Sequence, residues 1–157
     1  MPDQGALGPF FHGWRLHIDG GAAPNPGRMA VGAWLCGPDG QVHTLSMMLP
    51  GTGCNNEAEL RALMEALPWA AARGAIHLQV CTDSTVLEAL LAPSGARTVP
   101  RLQALAQAAQ QLMVLHGVQG LQWVPRHRNA QADALARSAL GLPPKVVHTP
   151  HPARRRG

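Results

Sequence analysis

Cysteine is scarce in this 157-residue chain: Cys36, Cys54 and Cys81 are odd in number and show no CxxC spacing. That excludes a cysteine-only zinc site and fits a reducing compartment. No apolar run approaches ~18 residues, which argues against a membrane span. The opening MPDQGALGPFFHGW has neither a basic start nor a long apolar core, so no signal peptide is visible. The expectation is a single cytoplasmic domain. Familiar catalytic signatures are missing too: there is no G-x-S-x-G elbow, P-loop, GxGxxG or HExxH. Eight histidines occur, but none forms an i,i+4 pair on a helix, which argues against a histidine-rich zinc site.

What is present is an ordinary globular composition, 46% hydrophobic, with room for one domain core. The basic residues number 13 against 9 acidic ones, and all but one are arginine. Three of them, Arg154, Arg155 and Arg156, sit in a Pro-rich ending; without them the chain carries +1. The basic balance is therefore a property of the tail. It reads either as a solvated, solubilising segment or as a weak, salt-dependent phosphate contact. The expected organisation is an extension over residues 1–13, a domain over 14–141, and a flexible tail over 142–157.

Period-2 alternation over Trp14–Asp19 predicts a strand. A Gly/Pro/Asn loop (GGAAPNPGR) follows, then strands near Met29–Leu35 and Gln41–Leu49 joined by the Pro38-Asp39-Gly40 turn. After a Pro50–Gly53 breaker, Leu60, Leu63, Met64, Leu67 and Ala71 recur at helical spacing over 55–73, with Pro68 expected to kink or interrupt the last turns. His77–Asp83 and Gln119–Val124 read as strands. Ser84–Leu91, Arg101–Leu115 and Asn129–Leu140 read as helices. Three antiparallel strands followed by strands alternating with helices predict an α/β fold. Its mixed five-stranded sheet would have helices on both faces.

With only nine acids, their placement matters. Asp19 closes the first strand and Asp83 the fourth, and sites in open α/β sheets form at the carboxyl ends of strands. Adjacent strands lie ~4.8 Å apart, so two such carboxylates would nearly touch and together would suit a hard cation such as Mg²⁺. Each also has a structural reading: Asp19 starts a turn before Gly20-Gly21, and Asp83 caps the helix after Thr82. Glu57 and Glu59 flank opposite sides of one helix's apolar stripe. Glu57 has Arg61 at i+4 as a solvent-side partner, whereas Glu59 has none, which favours Glu59 as the functional acid. Asp133 lies in a first helical turn, where the helix dipole favours any anion.

Four segments, in order, resemble type 1 ribonuclease H. They are IDGGAAPNPGRMAVGAW with its D-G-x-x-x-x-N-P-G pattern, CNNEAELRALMEAL, VCTDSTVL and WVPRHRNAQADALA, spanning 14–140. The resemblance implies the ribonuclease H-like fold and selects Asp19, Glu59, Asp83 and Asp133 as metal-binding, catalytic carboxylates. It implies endonucleolytic hydrolysis of the RNA strand of RNA/DNA hybrids, leaving 5′-phosphate and 3′-hydroxyl ends. Two Mg²⁺ ions would assist, with Mn²⁺ as a possible substitute. Asp19 would bridge both ions and Glu59 would hold the leaving-group side. Gly20, Gly21, Asn25, Cys54, Asn55 and Asn56 would face the substrate; the intact motif favours this over turn and cap roles for the asparagines. A monomer acting on hybrid, with no membrane and no protein partner, is the expectation.

Cys54 stands where the family has threonine and would make a weaker hydrogen bond to substrate. The basic, Trp-containing handle of some members is missing, and Arg97 and Arg101 are the only basic residues between Leu91 and Leu102. The closing loop is short, like that of the archaeal subgroup, and His127, six positions before Asp133, becomes a candidate for product release or proton shuttling. The competing reading is a catalytically weak hybrid- or RNA-binding module on the same fold. If the Arg154–Arg156 tail compensates for the missing handle, deleting residues 150–157 raises the Michaelis constant for hybrid at low salt. An unchanged constant refutes that role.

Overall fold

The computed structural model describes residues 13–92 and 98–145. The extension before residue 13, Arg97, and the tail from residue 146 on, with Arg154–Arg156, lie outside the described residues. The elements run β1 (Arg15–Ala23), β2 (Gly27–Cys36), β3 (Val42–Gly53), α1 (Asn55–Ala72), β4 (Gln79–Thr82), α2 (Thr85–Leu91), α3 (Pro100–Leu115), β5 (Gly120–Trp123) and α4 (Ala130–Ala139). The sheet order is β3-β2-β1-β4-β5. The first three strands are antiparallel, and β4 and β5 run parallel to β1, as expected.

Two strands outrun their sequence signals. β1 continues through Gly20–Ala23, pairing Ala23 with Arg28, so the expected loop shrinks to residues 24–26. β3 passes Pro50 to pair Gly53 with Gly27. Glycine, alanine and proline are weak strand formers, but a neighbour already in the sheet supplies the hydrogen bonds and overrides propensity. Pro68 does not end α1 either. Leu67 and Ala70 on either side of it are buried, and their packing holds a turn that lacks one N–H.

Strand alternation sorts side chains onto two faces. Leu16 and Ile18 of β1, with Ala33 and Leu35 of β2, meet Leu60, Leu63 and Leu67 of α1 and Leu102, Ala106 and Ala109 of α3 in the main core. α4 crosses the opposite face. There Gly32 lets the helix backbone approach, since a Cβ at residue 32 would collide with the Ala132 carbonyl oxygen. Ser46 Oγ donates to the Leu135 carbonyl at 2.7 Å and pins the same helix. Among the described residues no helix is long and apolar enough to cross a membrane.

The seating of α4 on bare backbone predicts that Gly32→Ala costs about 2–3 kcal/mol by overpacking. The urea midpoint of the variant checks this; a loss below roughly 0.5 kcal/mol would show that α4 can shift freely.

Candidate active site

β1 and β4 pair in parallel with His17 opposite Cys81. The same register carried two residues on sets Asp19 level with Asp83. Glu59, one turn into α1, joins them: one carboxylate oxygen from each of Asp19, Glu59 and Asp83 lies within 4.8 Å of the others. Asp133, in the first turn of α4, comes close enough to Asp19 to raise its pKa. All four line one open cleft of about 380 Å³.

The structural readings of the two aspartates are now decided. Asp19 lies inside a continuous strand, so it starts no turn. Ser84, not Asp83, caps α2, its Oγ accepting from the Leu87 N–H at 3.0 Å. Asp83 is thereby left to the cleft. Its position is held by its own backbone, whose carbonyl accepts from Trp123 Nε1 at 3.2 Å.

Glu57 corrects its sequence reading. Expected at the solvent side, it is fully buried, with Arg61 at 3.8 Å and Arg101 of α3 on the same oxygen. Its second oxygen occupies space that a Cβ at Gly53 would fill. Local spacing found Arg61 but could not show that α3 closes over the pair. Glu57 is absent from the cleft, and Glu59 is the acid there, with Oε2 buried and without a hydrogen-bond partner.

The electrostatics follow from this crowding. Burial, then the charges of Asp83 and Asp133, push the Asp19 pKa up to about 8. Burial and the Asp19 charge raise Glu59 well above the carboxylate range, although the Gly20 N–H opposes this. Burial also raises Asp83, with the Arg126 guanidinium pulling the other way. Oxygen donors clustered this closely fit a divalent cation, which would replace the repulsion with attraction and give Glu59 Oε2 a partner.

The remaining expected residues divide. Gly20 is needed by the fold, because a Cβ there would strike the Ala58 carbonyl, whereas a Cβ on Gly21 would meet open space at the cleft. Asn55 Oδ1 accepts from the Ala22 N–H at 2.9 Å, and Asn25 Oδ1 accepts from the Asn55 N–H at 3.0 Å. These oxygens tie the β1–β2 turn to the start of α1, so each amide's NH₂ is the group it can offer a ligand. Asn55 lines the cleft; Asn25 and Asn56 do not. Cys54 is the residue before α1 and makes no side-chain cap bond, as its weak thiol implies.

His127 is exposed on a 3₁₀ turn and does not line the cleft; its neighbour Arg126 does. Asn129 was legible only as a helix start. In the structure it is fully buried, donating Nδ2 to the Ile18 carbonyl at 2.9 Å and hydrogen-bonding the Asp83 side chain. Its Oδ1 lies 3.2 Å from His17 Nδ1, which sets the Nδ1–H tautomer because a carbonyl oxygen only accepts. Burial lowers the His17 pKa and so keeps the ring neutral.

This geometry agrees with what the chain is similar to. The model of a family described as reverse transcriptase-like matches residues 17–139. The ribonuclease HI of Halobacterium salinarum is 35% identical over 130 residues, covering 82% of this chain and 65% of that protein. A bifunctional protein of Mycobacterium tuberculosis is 32% identical over 148 residues, covering 87% of this chain and 41% of that protein. The chain thus spans less than two thirds of the length of these curated relatives. The crystal structure of RNase H1 from Halobacterium salinarum matches with a TM-score of 0.76 at 32% identity, covering 82% of this chain and 97% of that one. The N-terminal RNase H domain of the mycobacterial protein, solved as a fusion with maltose binding protein, matches at 0.71 and 32%, covering 80% and 97%. Sheet order, helix placement and a carboxylate-floored cleft define a ribonuclease H fold. The chain belongs to the ribonuclease H type 1 family.

Because the Asp19 pKa lies above its ordinary 3.8, the stability tied to its protonated form is complete below that value and is lost as pH rises through about 8. Metal-free protein therefore melts at lower temperature near pH 8 than near pH 5, beyond the change seen in an Asp19→Asn variant. At pH 8 Asp19→Asn melts higher than wild type by roughly 3–6 °C. Thermal melts by circular dichroism check this, and an Asp19→Asn protein that melts lower would refute it.

Proposed function

We propose that this chain hydrolyses the RNA strand of RNA/DNA hybrids endonucleolytically. The observation that carries the reading is the cluster of Asp19, Glu59 and Asp83, with Asp133 beside it, in an open cleft where Asp19 of β1 lies level with Asp83 at the end of β4. Membership of the ribonuclease H type 1 family supplies the substrate class. LC11-RNase H1, 24% identical and alike in fold, has been solved in complex with an RNA/DNA hybrid.

Asp19, Glu59, Asp83 and Asp133 would hold two divalent cations, Mg²⁺ or Mn²⁺. Bound there, the cations supply Lewis-acid stabilisation of the charge that develops on the scissile phosphate and make water a better nucleophile near neutral pH. The chain's own residues do the rest. The cleft is open, and Gly21 leaves room for a strand against the β1 backbone. The Asn55 NH₂ at the cleft wall can donate to a minor-groove acceptor or a 2′-hydroxyl, the group that distinguishes RNA from DNA. Asn129 holds Asp83 in place, and Arg126 favours its ionised form. Water attacks phosphorus, the bond to the 3′-oxygen breaks, and the products are a 5′-phosphate and a 3′-hydroxyl. In this reading Arg126, not His127, is the closing-loop residue that acts on the cleft.

The test is cleavage of an end-labelled RNA/DNA hybrid with Mg²⁺ and with Mn²⁺, beside single-stranded RNA, duplex DNA and duplex RNA. Hybrid-specific, metal-dependent cutting is expected, lowered roughly 100-fold or more in Asp83→Asn. Arg126→Ala loses roughly tenfold or more in turnover, whereas His127→Ala stays within about twofold. Hybrid binding without cutting by either metal would overturn the enzyme in favour of a binding module.

A further inference from the structure

The cleft has a second, cationic wall that the carboxylate chemistry does not use. α4 ends in a reversal built on Gly141, whose φ of +73° a side chain would resist. Gly141 N–H donates to the Ser138 carbonyl at 3.0 Å and Leu142 N–H to the Arg137 carbonyl at 2.9 Å, the paired bonds of a Schellman turn. The chain folds back, and Arg137 Nε donates to the Pro143 carbonyl at 2.6 Å. Pro143 and Pro144 have fixed φ and no N–H to satisfy, so this short strap is stiff. These bonds tie Leu142 and Pro143 to α4, and Lys145 lines the same cleft as Arg137.

Lys145 is the only lysine in the chain. It is exposed, so its ammonium has no buried structural duty, and its field reaches Asp19 as a small downward pull against burial. A compact, three-donor point charge suits phosphate oxygens. It lines the same cleft as Asn55 and the four acids. A polyanionic strand laid over four acids needs positive charge on the side the acids leave open.

Resting on the proposed function, we infer that the strap from Gly141 to Lys145 forms a phosphate subsite. There Lys145 contacts a backbone phosphodiester of the strand lying across Asp19, Glu59, Asp83 and Asp133. Arg137 is the positioning residue that holds the strap. The contact is independent of base sequence and contributes affinity, not chemistry.

The test measures binding of a short fluorescein-labelled RNA/DNA hybrid by anisotropy, without divalent metal, over a series of NaCl concentrations. The proteins are wild type, Lys145→Ala, Lys145→Arg and Arg73→Ala. Arg73 stacks on Trp69 at the far end of α1 and controls for loss of one positive charge. Lys145→Ala is expected to bind roughly 5–10-fold more weakly at low salt, with the log–log salt slope shallower by about 0.9. Lys145→Arg should recover most of the loss and Arg73→Ala stay within about twofold of wild type. If Lys145→Ala behaves as Arg73→Ala does while wild type binds hybrid, the subsite is refuted and the proposed function stands. Unchanged hybrid affinity with tighter Mg²⁺ binding would refute it too, marking Lys145 as a counter-ion of the acids. Failure of wild type to bind hybrid overturns the functional reading and the subsite with it.

Discussion

Mutual repulsion among crowded, partly buried carboxylates is the constraint around which this molecule is arranged. Asp19, Glu59 and Asp83 come within 4.8 Å of one another in a site where burial already disfavours their charge. Such a group relaxes apart unless separate elements hold each member. The parallel register of β1 and β4 sets two of them level, α1 supplies the third, and α4 brings Asp133 from the opposite face. A divalent cation would turn that repulsion into attraction, which is the physical link between the fold and the proposed hydrolysis.

The supports are small and specific. Gly20 lets α1 come close enough to β1 for Glu59 to reach the strand end, and Gly32 does the same for α4 on β2. Asn129 bridges β1, Asp83 and His17 from a fully buried position, so one side chain couples the strand carrying Asp19 to the carboxylate beside it. Trp123 holds the Asp83 backbone from β5. The asparagine pair at residues 25 and 55 spends its oxygens on fixing the β1–β2 turn to α1, which shapes the wall that faces substrate in our reading.

Legibility in the sequence tracked how local each signal was. Strand alternation around Leu16 and Ile18, the helical stripe through Leu60, Leu63 and Leu67, and the Pro-Asp-Gly turn depend on near neighbours, and these elements stand where expected. Element ends were less legible: Gly20–Ala23 and Pro50–Gly53 look like loops by composition, but β2 pairs with Gly20–Ala23 and, past an irregularity at Pro50 and Gly51, with Thr52 and Gly53. Glu59 lies in the cleft and Glu57 does not, but Glu57 is no solvent-side partner of Arg61. Its burial beneath Gly53 and Arg101 involves a helix some forty residues away.

From the chain alone came the order and type of elements and the mixed five-stranded sheet, because periodicity is written along the backbone, and the candidacy of the four acids, through the resemblance its motifs carry. Tertiary packing decided the rest. It put Arg126 rather than His127 on the cleft wall, turned Asn129 from a helix start into a buried bridge, and folded the residues after α4 back so that Lys145 faces the acids. Each of these depends on which surfaces of distant segments meet. That is set by burial and hydrogen-bond closure across the whole domain, which no local pattern encodes.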